Sequence, residues 1–487
     1  MNRYYPVLLA VVLLCHACTS EHGEHANENY DGYSIPDLEK RLATVDAELE
    51  SLARLSYRGG VGNVGYRSQP HPTKDNTEWI RVDFEQSQTI DQVVLVPSIW
   101  RDTKLGFRAD GFPKKFNIIA GGKNEPEGKV VASYGEDEPI DIFRVAPLVI
   151  DCGGVKADWI KLEAIELTAR AWDGRFILQL FEFMAFDGEK NVALRQQVTT
   201  STPYRYEGGG RDKSFVVDGF VPYIMDASHG QQSLAFLSEP GIGEQPHLDL
   251  DLGESVPLSR IHLHAIDISD TVPQVTTNDY ALPGRIRVLG ANQSDFSDAA
   301  PLVDFQVKSI YHAGPVFMWN LPESPCRYIR LVAVDPFVRE NGANSGTQIG
   351  FSEIEIFSKD KNVALGKKVS ASFKQVSPER SIDALTDGWN LYGDILPIRQ
   401  WMNELAHRYA LEEERPVVVA ELRVRYDKQK NLLKLITWIA AVLAVGIIIT
   451  ILVMRIIRMR QIALIRERLA ADLHDELGAD IHTIGLL

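Results

Sequence analysis

Near the C-terminus, Leu473-His474-Asp475-Glu476-Leu477-Gly478 sets an imidazole beside a carboxylate, one turn before a glycine. Imidazole is partly neutral at physiological pH, so a ring nitrogen can act as a nucleophile toward phosphorus. Asp475 is the group to orient that ring and take its proton. From Arg455 to Leu477 the chain holds neither Gly nor Pro. Leu469, Leu473, Leu477, Ile481 and Ile484 recur at helical spacing, which suits a helix packed in a dimeric bundle. Ala470, four residues before His474, and Gly478, four after, leave the ring accessible on that stripe. A lone histidine would fit an ordinary juxtamembrane coiled coil equally well, so the surrounding residues decide.

Those residues are Arg466-Glu467-Arg468-Leu469-Ala470-Ala471-Asp472, directly upstream. Together with the Leu-His-Asp core they resemble the dimerisation and phosphoacceptor helix of sensor histidine kinases, in the nitrate-sensor-like subclass. The resemblance implies that His474 is the phosphorylated residue and that the chain works as a homodimer in a two-component system. It further implies a response regulator as partner and ATP with Mg as phosphoryl donor. Ala479 stands where the subclass often has Gln, which implies weak phosphatase activity. The second bundle helix and the ATP-binding domain of such kinases do not follow before Leu487. The chain is therefore expected to bind no cofactor itself, to be inactive alone, and to need an ATP-binding kinase domain, cut away or supplied in trans.

The helix needs a position, and two apolar segments give one. Leu435 to Met454 is a run of 20 uncharged residues between Lys434 and Arg455. At ~1.5 Å per residue that matches the hydrocarbon core of a bilayer. Met1-Asn2-Arg3 followed by apolar Val7 to Leu14 reads as a secretory signal over residues 1–18, too short to span. Cys18 is a candidate lipidation site, favoured by Ala17 and disfavoured by Cys15 where lipoprotein signals usually have Leu. Residues 421–434 and 455–468 carry five Lys or Arg each, so basic residues do not orient the span. The signal does: residues between the two segments are outside and the C-terminus is cytoplasmic, in a bacterial plasma membrane.

The formal charge of −15 argues against nucleic acid as a ligand. Beyond the signal only Cys152 and Cys326 remain, too few for a disulfide scaffold, and both read as buried free thiols.

The exported part repeats itself. Trp79-Ile80-Arg81-Val82-Asp83-Phe84 returns as His247-Leu248-Asp249-Leu250-Asp251-Leu252. Phe112-Pro113 returns as Leu282-Pro283, Trp159-Ile160-Lys161-Leu162 as Tyr328-Ile329-Arg330-Leu331, and Lys190-Asn191-Val192-Ala193-Leu194 as Lys361-Asn362-Val363-Ala364-Leu365. The blocks alternate apolar and polar residues, and Gly-, Asp- and Asn-rich connections separate them, which predicts antiparallel β-sandwiches. Asn362 to Ser372, then Ala384-Leu385-Thr386-Asp387-Gly388-Trp389, resembles the opening of discoidin modules, also called coagulation factor 5/8 type C modules. These belong to the galactose-binding-like, jelly-roll fold. Asn191 to Ser201 with Asp218-Gly219 is a looser copy, and Asn63-Val64-Gly65-Tyr66 is the candidate opening of the first module.

This predicts a mainly β ectodomain: an amphipathic helix at 34–58, modules at 60–187 and 188–360, a remnant strand and stalk at 361–434, the span at 435–454 and the phosphoacceptor helix from 455 to 487. Leu38, Leu42, Val45, Leu49 and Leu52 form the seam of the first helix, for packing within the chain or with a second copy. The resemblance implies a carbohydrate or other surface ligand bound through loops at one end of a sandwich. The candidate loop is Ser98–Gly111, with Trp100, Arg101 and Asp102, and its counterpart is Asp267–Ala281. An aromatic face beside polar groups suits a sugar, although Trp100 and Trp172 are also readable as packing residues. The competing reading is a membrane-tethered carbohydrate-binding or adhesion protein with no kinase role.

Overall fold

A computed structural model describes residues 30, 32–59, 64–104, 106–135, 140–202, 209–269, 279–312, 314–339 and 345–484, with side chains as far as residue 477. The signal segment, Cys18, Asn63, most of the 267–281 loop and the side chains of Gly478 to Ile484 lie outside the described residues. The chain forms two compact units, one of residues 45–413 and one combining residues up to 44 with those from 414 onward.

The larger unit holds two antiparallel β-sandwich modules of the same topology. The first is built from β1 (Glu78–Pro97), β2 (Lys115–Gly122), β3 (Glu125–Tyr134), β4 (Leu148–Glu166), β5 (Gln179–Asp187) and β6 (Gln197–Thr200). The second is built from β7 (His247–His264), β8 (Arg285–Ala291), β9 (Ala300–Gln306), β10 (Val316–Asp335), β11 (Glu353–Ser358) and β12 (Val369–Ala371). Their strand orders, β5-β1-β4-β2-β3 and β11-β7-β10-β8-β9, correspond one for one, with β6 added to β1 and β12 added to β7. The long strands β1 and β7 both lose register near their middles, at Asp83/Gln88 and Asp251/Val256, where the side chains turn outward. Ile80, Val82 and Phe84, and their counterparts Leu248, Leu250 and Leu252, face the two interiors, so the alternation in sequence is the alternation of a two-faced sheet. Cys152 and Cys326 are buried free thiols.

Strand pairing corrects the module boundaries. Val198 lies opposite Val82 of β1, and Val369 opposite Leu250 of β7. The Asn-Val-Ala-Leu segments therefore close the preceding sandwich and do not open the next one. Asn191 Oδ1 accepts from the backbone of Ala185 and Ala193, and Asn362 Oδ1 does the same from Ile356 and Ala364. Each asparagine pins the turn between the last long strand and the added short one. Residues 361–371 are thus the finishing edge of the second module, because β7, like β1, needs that partner along its first half. Tyr66, the last residue of the candidate opening of the first module, pairs with Leu180 and Arg67 with Gln179, as Phe236-Leu237 pairs with Phe351-Gly350.

A second device is repeated beneath the Asp-Gly turns. Glu182 Oε1 accepts from Gly219 N at 2.9 Å, and Glu353 Oε2 accepts from Gly388 N at 3.2 Å. Burial, reinforced by Asp218, pushes the Glu182 carboxyl up, and burial pushes Asp218 up to about 7. Burial, with Glu355 and Asp387 nearby, pushes Glu353 up to about 9. Across from it on β7, His262 Nδ1 and His264 Nε2 stand 3.3 and 2.9 Å from Glu355 Oε2. Against the cost of burial, these imidazoles hold Glu355 at about 2.

The stalk expected to begin at 361 starts later than that. α1 (Ile35–Ser51) and α2 (Ile398–Ile484) are the long helices among the described residues. Trp401, Met402 and Leu405, on the first two turns of α2, are fully buried among Val94, Val96, Met184 and Tyr223. Val93 and Leu95 of β1 point into the first sandwich while Val94 and Val96 point out of it, and both faces are covered. The end of α1 closes on the same turns of α2: Ala53 N donates to Glu404, and Arg408 donates to the carbonyls of Leu49 and Leu52. In the smaller unit, Leu38 and Leu42 of α1 pack on Val417, Val418 and Leu422 of α2, and Arg41 forms a two-bond pair with Glu414 at 2.6 Å. The seam of α1 is used within the chain. Farther along, α2 is long and apolar enough to cross a membrane once.

Trp401→Ala should lower the unfolding free energy of the β unit by about 3–5 kcal/mol in denaturant titrations. Trp401→Phe should cost far less, since the indole N–H has no acceptor among the described residues. Glu353 is neutral in the folded state up to pH about 9 but ionises near 4.5 when unfolded. The folded state thus holds the extra proton, and stability falls as pH rises through that window, by up to about 1.4 kcal/mol per pH unit. Glu353→Gln should flatten the slope between pH 5 and 9; an unchanged slope would contradict the assignment.

Candidate functional site

The loop end of the first module gathers the exposed aromatic residues. Ile99–Asp102 and Gly106–Ala109 form a short hairpin in which Trp100 opposes Arg108 and Arg101 opposes Phe107. The Arg101 guanidinium lies 5.9 Å from the Phe107 ring centroid. Arg108 pairs with Asp102 at 3.4 Å and stands 5.5 Å from the ring of Phe143. Asp102 Oδ1 also accepts from Lys104 N at 2.8 Å, which shapes the tip.

A second loop joins the first through a buried carboxylate. Asp110 N donates to the Ser98 carbonyl, and Asp110 Oδ1 accepts from Ala171 N at 2.7 Å. This fixes Trp172, 62% exposed, on the same end as the hairpin that carries Trp100, 38% exposed. Arg170 lies 4.4 Å from the Trp172 ring centroid and makes two bonds to Asp173. Those bonds hold the Asp173 carboxyl down at about 2.

The three residues singled out in sequence, Trp100, Arg101 and Asp102, therefore share one hairpin. Trp100 and Trp172 stand out in solvent and are not core packing residues. Phe107, Phe143 and Arg170 were missed. The repeated aromatic-arginine pairs Trp100-Arg101 and Phe107-Arg108 were the available signal, whereas nothing local marks Phe143. In the second module the matching loop starts from Asp267, buried and locked to Arg380 by bonds of 3.0 and 3.2 Å. Asp267 is thereby committed to Arg380.

His474 and Asp475 are exposed and adjacent on α2. Leu469, Leu473 and Leu477 are each more than half exposed, a bare apolar stripe beside His474. Ala470 sits one turn before the imidazole, so no large side chain covers it from that side.

No family model matches the chain, and no curated protein matches it. Among solved structures, the chain is similar to a putative chitobiase fragment from Bacteroides thetaiotaomicron, with 19% identity over 24% of this chain and 62% of that one, TM-score 0.18. It is similar to a fucolectin from Morone saxatilis serum, with 14% identity over 59% of this chain and 83% of that one, TM-score 0.19. It is also similar to the CBM32-1 and CBM32-2 domains of Clostridium perfringens ZmpB, with 10% identity over 69% of this chain and 98% of that one, TM-score 0.20. The fold assignment rests on strand order and pairing: two antiparallel β-sandwich modules of one topology ahead of one apolar helix.

Asp110→Ala should loosen both loops and cost about 1 kcal/mol, the typical net worth of a hydrogen bond to a part-buried donor. Trp172→Ala, at a solvent-facing position, should shift stability by less than about 0.5 kcal/mol. Thermal melts of the two variants in parallel check the ordering.

Proposed function

We propose that this chain is the sensing and phosphoacceptor part of a membrane histidine kinase whose outer β-sandwiches bind carbohydrate. The observation that carries this reading is α2 itself. One helix begins with Trp401 buried against the outer face of the first sandwich, runs through the apolar stretch Leu435–Met454, and carries His474 with its flanking motif. From Met454 to His474 is ~30 Å of helix at ~1.5 Å per residue, so His474 lies clear of the bilayer on the far side.

In this reading a sugar settles on the exposed Trp100, Phe107 and Trp172 faces, with Arg101, Arg108 and Asp102 as its polar partners. A change in packing around Trp401 would move the first turns of α2, and a small piston or rotation would alter access to His474. His474 accepts the phosphoryl group through a neutral ring nitrogen, with Asp475 taking the proton. ATP and Mg would be held by a kinase domain outside this sequence, and a response regulator would receive the phosphoryl group. The bare Leu469-Leu473-Leu477 stripe supports a second copy of the chain as the partner of this helix segment.

Native membranes labelled with γ-phosphate-labelled ATP should place acid-labile phosphate on the wild-type chain and none on His474→Gln. The Trp172→Ala variant should keep the label but lose its dependence on added sugar. Label persisting in His474→Gln would overturn the phosphoacceptor assignment and leave the tethered sugar-binding protein as the better reading.

A further inference from the structure

A cavity of about 550 Å³ lies where Arg195 and Gln196, with Ser214 to Asp218, meet β8 and β9 of the second sandwich. Its walls carry Arg195, Lys308, Phe215, Phe305, His312 and Gln306. Arg195 donates from Nε to the Met318 carbonyl at 3.1 Å, and its guanidinium lies 4.8 Å from the Phe305 centroid and 5.7 Å from that of Trp319. The arginine is thus set in place by an aromatic wall. It makes no ion pair among the described residues, and neither does Lys308.

The acids at this site are already committed. Asp304 takes two bonds from Arg285, at 2.7 and 2.8 Å, and two more from Arg287. Asp218 is buried beside Glu182, and its Oδ1 accepts from Phe220 N. Arg195, drawn toward the buried Asp218 and Glu182 carboxyls, and the exposed Lys308 leave the cavity with a positive excess. His312 reflects it: burial first, then Arg195 and Lys308, lower the affinity of its ring for a proton. An arginine held against aromatic faces, with an exposed lysine and amide side chains nearby, matches a ring with a carboxylate at one end and hydroxyls at the other.

We propose that this cavity is a second, separate saccharide site, selective for sugars that bear a carboxylate, with Arg195 and Lys308 on the carboxylate and Gln196, Gln306 and Ser214 toward the hydroxyls. From the proposed function it borrows only the premise that the ectodomain binds sugars. It differs in location and partner residues from the Trp100 loop.

The test is calorimetric titration of the detergent-solubilised full chain with D-galacturonate, D-galactose and acetate. D-galacturonate should bind at the cavity, more weakly as salt is raised. Lys308→Glu should weaken it by about tenfold or more, as loss of a charge-assisted bond requires, and Lys308→Met should fall between. Lys308 is exposed and unpaired among the described residues, so neither variant should disturb folding. Trp172→Ala should leave D-galacturonate binding intact. Three results would overturn the proposal: no D-galacturonate binding, equal binding by Lys308→Glu, or acetate binding as tightly as D-galacturonate. D-galactose binding that is lost in Trp172→Ala alone, without any D-galacturonate binding, would remove this site and leave the loop-end reading standing.

Discussion

The burial of Trp401, Met402 and Leu405 is the contact on which the β unit depends. An isolated sandwich hides one face of each sheet. Here β1 and β5 of the first module are covered on both faces, and the second covering consists of the other sandwich and the start of α2. Large apolar side chains on two successive turns make that covering costly to remove, because burying a side chain of this size stabilises by about 1.5–3 kcal/mol. A helix that would otherwise be a passive tether is part of the fold it leaves.

Much of this was legible in the sequence. The alternation in His247 to Leu252 gave the strand, its faces and its counterpart at Trp79 to Phe84. The four ordered repeats gave two modules of one topology. The apolar run gave the long exposed helix. Trp100, Arg101 and Asp102 were placed together because they are neighbours in the chain.

What sequence reading missed depends on pairing at long range. The Asn-Val-Ala-Leu segments look like beginnings because they resemble the opening of discoidin modules. Whether Val198 adds to β1 or starts a new sheet is decided by which edge is open, and no local pattern records that. The buried role of Trp401 was hidden in the same way: its segment is rich in helix formers and charges, and only the uncovered face of β1 and β5 explains why one side of it is apolar. Asp110, which fixes the relation of two loops 61 residues apart, is an ordinary loop aspartate when read in one dimension.

The edge strand β12 lies after the last long strand of its module, and the helix that covers the core lies after β12. Anyone preparing the β unit as a soluble protein meets this directly. A cut near residue 360, where the second repeat seems to end, would leave β7 with an open edge along its first half and the faces of β1 and β5 uncovered. Such a fragment would offer neighbouring molecules both a strand template and an apolar patch, the two features that drive aggregation. The smallest piece that keeps its own edges closed runs through the early turns of α2, so the boundary of the β unit on the side of the apolar helix is a position on a helix.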